Sequence, residues 1–131
     1  MNKKNLSFVL IIFNIFFFLY YSFQLIVFTD EFATKNIGFF NHAVAGLSEI
    51  IGIIFFSLAI GLIIIIFRGS KNQLPLLITV LLIQTIISLN FWRYVFTNSP
   101  GEVDINTITK NALIFTIAAL SMAFFLLSSK K

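Results

Sequence analysis

An acidic and a basic residue in apolar stretches of this sequence could form an ion pair. Glu49 is six residues into the second of four apolar segments, and Arg93 is three residues before the end of the third. A carboxylate inside a membrane helix costs about 2.5–3.5 kcal/mol, so it should be paired, hydrated or protonated. Antiparallel neighbouring helices would bring Glu49 and Arg93 to similar depth, where a guanidinium can bind a carboxylate through two hydrogen bonds. The sequence predicts an ion pair between the two helices. A proton relay or an anchor for a polar ligand is the alternative role for Glu49.

Further polar residues accompany this pair. His42, two turns before Glu49, suits either a hydrated helix cap or a point of proton entry. Polar residues of the third segment would either form interhelical hydrogen bonds or line a small pocket beside Glu49. We therefore expect a buried polar cluster of Glu49, Arg93, His42, Gln84, Ser88 and Asn90. The polar residues of the first and fourth segments are too scattered to assign a role: Asn14, Gln24, Thr116 and Ser121.

Small residues recur along the second segment. Steps of three and four residues place one stripe on a single helix face: His42, Ala45, Glu49, Gly52, Phe56 and Ala59. Small residues allow close approach of helix backbones in lipid. The predicted packing residues are Ala45, Ser48, Gly52, Ser57, Ala59 and Gly61, so we expect the second segment to form the central helix of the protein.

The elements that position these residues are four apolar segments, at 7–28, 43–67, 74–96 and 107–128. As helices, each would extend about 33–38 Å, enough to cross a hydrocarbon core of about 30 Å. Runs such as the four isoleucines at 63–66 are apolar on every face, which favours helices over membrane strands. Short connections between the segments favour an antiparallel arrangement. The predicted fold is all-α, an integral membrane four-helix up-down bundle forming one domain over residues 1–131, with loops at 29–42, 68–73 and 97–106.

Composition excludes several classes of protein. Of 131 residues, 59% are hydrophobic and 11% charged, against about 45–50% and 25% in soluble domains, so a soluble or disordered protein is excluded. The absence of cysteine excludes disulfides and thiolate ligands, and a single histidine excludes an intrachain histidine pair. A haem bound between helices would need a partner chain for its axial ligands. We expect no metal, no cofactor and no catalytic motif.

The distribution of basic residues predicts the orientation. With four membrane crossings, six of the nine basic residues would lie on the same side of the membrane as the two termini: Lys3, Lys4, Arg68, Lys71, Lys130 and Lys131. The other three are Lys35, Arg93 and Lys110. Cytoplasmic flanks carry more Lys and Arg, so both termini should be cytoplasmic in a multi-pass protein of the cell inner membrane. Membrane insertion already explains the basic residues, and we therefore expect the lipid bilayer as partner and no nucleic acid.

Aromatic residues carry less information than their number implies. The 18 phenylalanines accompany a high content of isoleucine, asparagine and lysine, a composition typical of an AT-rich genome, and they indicate no ligand by themselves. Trp92 and Tyr94 suit the membrane interface at the end of the third segment. Tyr20 and Tyr21 are further from the end of the first segment, where a helix contact is the alternative, and we expect them at the membrane interface as well.

Some of these features resemble a known family. Ala43, Gly46 and Gly52 share the spacing Ala-x-x-Gly-x5-Gly, Arg93 is near the end of the third segment, and the loop Asn98-Ser99-Pro100-Gly101-Glu102 follows. In these respects the chain resembles the bacterial four-helix membrane proteins of the domain-of-unknown-function family numbered four-three-four-five, akin to DoxX-like proteins. Asn41-His42 replace an arginine expected there. The resemblance implies architecture only.

Three functional hypotheses follow from the sequence. The first is a non-enzymatic structural or accessory component, acting as a homo-oligomer or within a larger membrane complex. The second is a small proton-coupled transporter that uses Glu49. The third is a membrane subunit of an enzyme complex, with any cofactor supplied by a partner.

Overall fold

The computed structural model of the chain describes residues 3–98 and 104–129. Within these ranges it contains five helices and no strand: α1 (Lys3–Ile26), α2 (Thr29–Ile37), α3 (His42–Arg68), α4 (Leu74–Thr97) and α5 (Ile105–Ser129). The four long helices confirm the predicted apolar segments, with ends that differ by a few residues. Residues 99–103 of the predicted loop at 97–106 and the basic residues Lys130 and Lys131 lie outside the described residues.

Local signals in the sequence determine where the long helices begin and end. Asn41 caps α3, because its side-chain Oδ1 accepts a hydrogen bond of 2.9 Å from the Val44 amide. At the other end of α3, Gly69 has a φ of 84° and its N–H donates to the Ile65 carbonyl. Side chains disfavour that backbone region, which explains a glycine there. Pro75 lies in the first turn of α4, where a missing N–H removes no intrahelical bond.

The short helix α2 occupies part of the connection predicted as a loop at 29–42. Its first turn carries Asp30 and Glu31 and its last turn carries Lys35, which is the charge order that a helix dipole favours. Gly38 ends it in the left-handed conformation, with a φ of 85°. The apolar pattern of the sequence does not indicate α2, because this nine-residue segment is mostly polar. It packs against α1, α3 and α5 and buries Thr29 and Ala33.

The long helices run antiparallel in a spatial order that differs from their order in sequence. α1 packs against α3 on one side and α5 on the other, and α4 packs mainly against α5. α3 and α4, although joined by a short loop, approach each other near Gly61 and Leu76, next to that loop. A hydrogen bond of 2.7 Å between the hydroxyls of Ser7 and Ser128 joins the start of α1 to the end of α5. We call this end of the bundle the termini end, and the end that carries α2 the α2 end.

An aromatic cluster forms the centre of the core. The ring of Phe115 on α5 lies 4.9 Å from that of Phe17 and 4.8 Å from that of Tyr21, both on α1. It also lies 6.3 Å from the Phe55 ring on α3 and 5.5 Å from the Phe91 ring on α4. One side chain thereby contacts all the other long helices, at centroid separations typical of favourable aromatic pairs.

The remaining surface of the long helices is largely apolar. Large hydrophobic side chains such as Phe16, Ile53, Leu89 and Phe124 are more than half exposed. All four long helices are long and apolar enough to cross a membrane. The outward-facing apolar residues are therefore suited to lipid, and the fold is that of a multi-pass membrane protein.

Candidate functional site

Three polar side chains from different helices meet near the middle of the bundle. The Asn14 amide nitrogen on α1 donates to the Ser121 hydroxyl on α5, at 2.8 Å. The Gln84 amide nitrogen on α4 donates to Asn14 Oδ1, also at 2.8 Å. Asn14 and Gln84 are fully buried and Ser121 is nearly so. We call these residues the central triad, which ties α4 to α1 although α4 packs mainly against α5.

One acceptor in the central triad has no partner. Within the described part of the chain, Gln84 Oε1 is the one buried side-chain polar atom without a hydrogen bond. An unpaired buried carbonyl oxygen is costly, since it has lost its water and gained nothing in return. Its neighbour Nε2 is used by Asn14, so the Gln84 amide is held in place while one of its atoms stays unsatisfied.

A second polar connection lies towards the α2 end. The Tyr21 hydroxyl on α1 donates to Asn111 Oδ1 on α5 at 2.8 Å. The Asn111 amide nitrogen donates to Asn36 Oδ1 on α2, and the Asn36 amide nitrogen donates to the Phe32 carbonyl. This chain of bonds, here called the α2 tie, attaches the short helix to two of the long helices.

A third polar contact joins α4 to α5. The hydroxyls of Ser88 and Thr116 lie 2.8 Å apart, and the Trp92 indole nitrogen donates to the Thr116 hydroxyl at 3.0 Å. Thr116 in turn donates to the Ala112 carbonyl of its own helix. Gln84 and Ser88 are therefore buried, as predicted, but their partners lie on α1 and α5 and not near Glu49.

The other members of the predicted cluster lie on the surface of the chain. Glu49, Arg93, His42 and Asn90 are all exposed. Within residues 3–98 and 104–129, no ion pair joins Glu49 to Arg93, and the Arg93 guanidinium lies 4.8 Å from the ring centroid of its neighbour Tyr94. The expected single cluster is thus divided, because α3 packs on α1 and α4 packs on α5 where the prediction had these two helices as close neighbours.

The stripe of α3 is rotated by about one residue from its predicted position. The buried face comprises Ser48, Gly52, Phe55, Ala59, Leu62 and Ile65. Of the predicted packing residues, Ser48, Gly52 and Ala59 are buried, Ala45 and Gly61 are partly buried, and Ser57 is exposed. Glu49 and Phe56 follow buried residues by one position, and a step of about 100° turns them out of the core.

α3 lies close against α1 at Gly52. A Cβ placed on it would lie 2.6 Å from Ile26 Cγ1 and 3.0 Å from Leu25 Cβ. Gly46, one and a half turns earlier, has open space where its Cβ would be. Close packing thus requires the glycine at Gly52, whereas Gly46, which was not among the predicted packing residues, could carry a side chain.

Most of the polar side chains that join helices were not predicted from the sequence. Asn14, Asn111, Thr116 and Ser121 were either left unassigned or not considered. Tyr21 was expected at the membrane interface, and this was wrong because it is buried and bonded to Asn111. A comparison of depths offers the missing signal, since Asn14 and Gln84 each lie within two residues of the middle of their helix. Uncharged polar groups at equal depth in apolar helices find one another because each would otherwise lack a partner in lipid.

Other binding features are limited. Two open, mainly apolar grooves lie on the surface: one of about 470 Å³ at the termini end, beside Ile11 and Phe125, and one of about 530 Å³ between α1 and Phe56. In the part of the chain that the structure describes, no three His, Asp or Glu side chains are grouped so that they could hold a metal ion.

Comparisons with known proteins returned no relationship. No family model matches the chain, and no curated protein or solved structure matches it significantly. The resemblance to DoxX-like proteins stays a prediction.

Proposed function

We propose that this protein is a non-enzymatic structural or accessory component of the bacterial inner membrane, and that it acts by holding a partner within the bilayer. The observation that carries the proposal is the position of Glu49. It is exposed on α3, seven residues after His42, and this places it about 10 Å below the helix end.

Glu49 is costly in lipid without a partner. A carboxylate inside a membrane helix raises the free energy of insertion by about 2.5–3.5 kcal/mol. Leu47, Ile50 and Ile53 around it are all more than half exposed, so the acid stands on an otherwise apolar surface. A partner with a basic or hydrogen-bonding side chain at the same depth would offset that cost.

The interior supports a scaffold more than a transport pathway. The central triad, the α2 tie and the Ser88–Thr116 contact each use buried polar side chains to join helices. Such hydrogen bonds stabilise one arrangement of the helices, which is the property an accessory protein needs to present a fixed surface.

The proposed orientation has both termini in the cytoplasm. The Ser7–Ser128 hydrogen bond places the start of α1 and the end of α5 at one end of the bundle. The loop with Arg68 and Lys71 lies at this end too, and the excess of basic residues there follows the positive-inside rule. The α2 end, with Asp30 and Glu31, then faces the outside.

The test compares Glu49→Gln and Glu49→Leu with the unaltered protein in native membranes, after chemical cross-linking and in mild detergent. We expect an assembly heavier than one chain, which Glu49→Gln weakens and Glu49→Leu disrupts further, because leucine has no hydrogen-bonding group. Glu31→Gln on α2 is the matched control, since Glu31 lies outside the long helices, and it should leave the assembly intact.

Two results would overturn the proposal. One is a monodisperse single chain in native membranes under all conditions. The other is substrate-driven proton flux in proteoliposomes that Glu49→Gln abolishes, which would establish the transporter that the sequence offered as an alternative.

A further inference from the structure

We infer that the partner of Glu49 is a second copy of this chain, and that Glu49 of one copy pairs with Arg93 of the next. This inference rests on the proposed function, because it names the partner that the exposed face of α3 would hold. The pair predicted within one chain would then form between two chains.

Glu49 and Arg93 carry complementary charges. Glu49 on α3 and Arg93 on α4 are both exposed ionisable side chains within long apolar helices. Neither has an ion-pair partner in the described residues of its own chain, and the Arg93 guanidinium lies over the ring of Tyr94. One chain thus presents both halves of an ion pair on outward faces of different helices.

Glu49 and Arg93 also lie at similar depth in the membrane. Copies inserted in the same orientation are related by an axis normal to the membrane, and such an axis preserves the depth of every residue. Only side chains at similar depth can therefore meet. Glu49 lies about 10 Å from the α2 end of α3 and Arg93 about 6 Å from the α2 end of α4, a difference that the length of an arginine side chain spans. Exposed Lys110 on α5 lies about 8 Å from the same end, and the cross-linking control at Leu113 distinguishes it from Arg93.

The spatial order of the helices leaves both charged residues on outward faces. Because α3 packs on α1 and α4 packs mainly on α5, α3 and α4 each keep an outward face available. Ile53, one turn from Glu49, and Leu89, one turn from Arg93, are 57% and 65% exposed. These faces surround each charge with apolar surface that a second copy would cover.

The experiment uses thiol cross-linking between two differently tagged copies of the full chain in native membranes. The chain contains no cysteine, so each introduced thiol is unique. Ile53→Cys on one copy and Leu89→Cys on the other should cross-link. In the control, Leu113→Cys on α5 replaces Leu89→Cys. Leu113 is exposed and lies the same number of residues from the α2 end of its helix as Leu89, and it should not cross-link to Ile53→Cys.

Charge exchange between copies then tests the ion pair itself. One copy carries Glu49→Arg, so both of its positions are basic, and the other carries Arg93→Glu, so both of its positions are acidic. Contacts between identical copies then bring like charges together, and contacts between the two variants bring opposite charges together. We expect cross-linking between the two variants to exceed cross-linking within either by about tenfold. The double variant Glu49→Arg/Arg93→Glu in one chain should restore self-association, which guards against variants that merely fail to insert.

The outcomes separate this inference from the proposed function. Cross-linking that is insensitive to charge, or equal at the control position, overturns the Glu49–Arg93 pairing. A Glu49-dependent complex that contains one copy of this chain and another protein overturns the second copy but leaves the proposed function standing. The absence of any Glu49-dependent complex overturns both.

Discussion

The Gln84 side chain on α4 donates a hydrogen bond of 2.8 Å to Asn14 on α1, while its own carbonyl oxygen remains without a partner. The two residues are 70 positions apart in the chain and both are fully buried. Asn14 also donates to Ser121 and to the Leu10 carbonyl, so it uses both of its side-chain polar atoms. Both polar atoms of the Asn14 amide therefore have hydrogen-bond partners, whereas the Gln84 amide has a partner for its nitrogen only.

That inequality predicts different costs for two similar substitutions. Gln84→Leu removes one unpaired acceptor and leaves another, Asn14 Oδ1, so its cost should be close to that of one membrane hydrogen bond, about 0.6 kcal/mol. Asn14→Leu leaves both polar atoms of Gln84 unpaired and should cost about 1–3 kcal/mol. Unfolding in mixed micelles measures both variants. Equal costs would contradict the hydrogen-bond pattern described here.

Gly52 predicts a steric effect that Gly46 lacks. Gly52→Ala places a Cβ 2.6 Å from Ile26 Cγ1 and should destabilise the protein by about 1–3 kcal/mol as α1 and α3 move apart. Gly46→Ala meets no atom within 4 Å and should be neutral or slightly stabilising, because alanine favours helices more than glycine does. Thermal unfolding in detergent provides the comparison, and a reversed order of the two variants would be inconsistent with the packing of α1 on α3.

The neighbouring residues Tyr21 and Tyr20 provide a matched pair for the α2 tie. Tyr21 is buried and donates to Asn111, whereas Tyr20 is half exposed. Tyr21→Phe leaves Asn111 Oδ1 without a donor, so we expect a loss of about 1–2 kcal/mol and faster hydrogen exchange in α2. Tyr20→Phe should change neither quantity. Unchanged exchange in α2 for Tyr21→Phe would mean that the tie does not hold this helix.

Asp104 predicts an acid-dependent loss of stability. Its carboxylate accepts a hydrogen bond from the Asn106 amide and others from the hydroxyl and amide of Thr107, and these lower the pKa of Asp104 below its ordinary value of 3.8. A lowered pKa in the folded state means that the stabilisation is present above pH 3.8 and is lost as the pH falls through the folded value. The thermal midpoint of the unaltered protein should therefore decrease more on acidification than that of Asp104→Asn, whose amide caps α5 without a charge. Parallel decreases in the two proteins would exclude this role for Asp104.

Prediction from the sequence succeeded where a local property was sufficient. The four long helices followed from the length and continuity of their apolar residues. It failed at α2, because that helix is polar and is indicated only by acidic residues in its first turn, a lysine in its last turn and the glycine that ends it. It also failed to group the residues of the central triad, since Asn14 and Ser121 are 107 positions apart and nothing local relates them.

By itself the sequence determined that this chain has four segments long and apolar enough to cross a membrane, because helix rise, span length and the scarcity of charge are properties of each segment alone. Only the tertiary structure decided which face of each helix is buried. A change of one residue turns a helix face by about 100°, and this separates the buried Ser48 from the exposed Glu49. It also decided which helices are neighbours, because the contacts of Phe115 and the hydrogen bonds of Asn14 select the packing of α1 against α5. The sequence alone thus shows that charged residues are scarce, whereas the packing of the helices determines that Glu49 and Arg93 face outward.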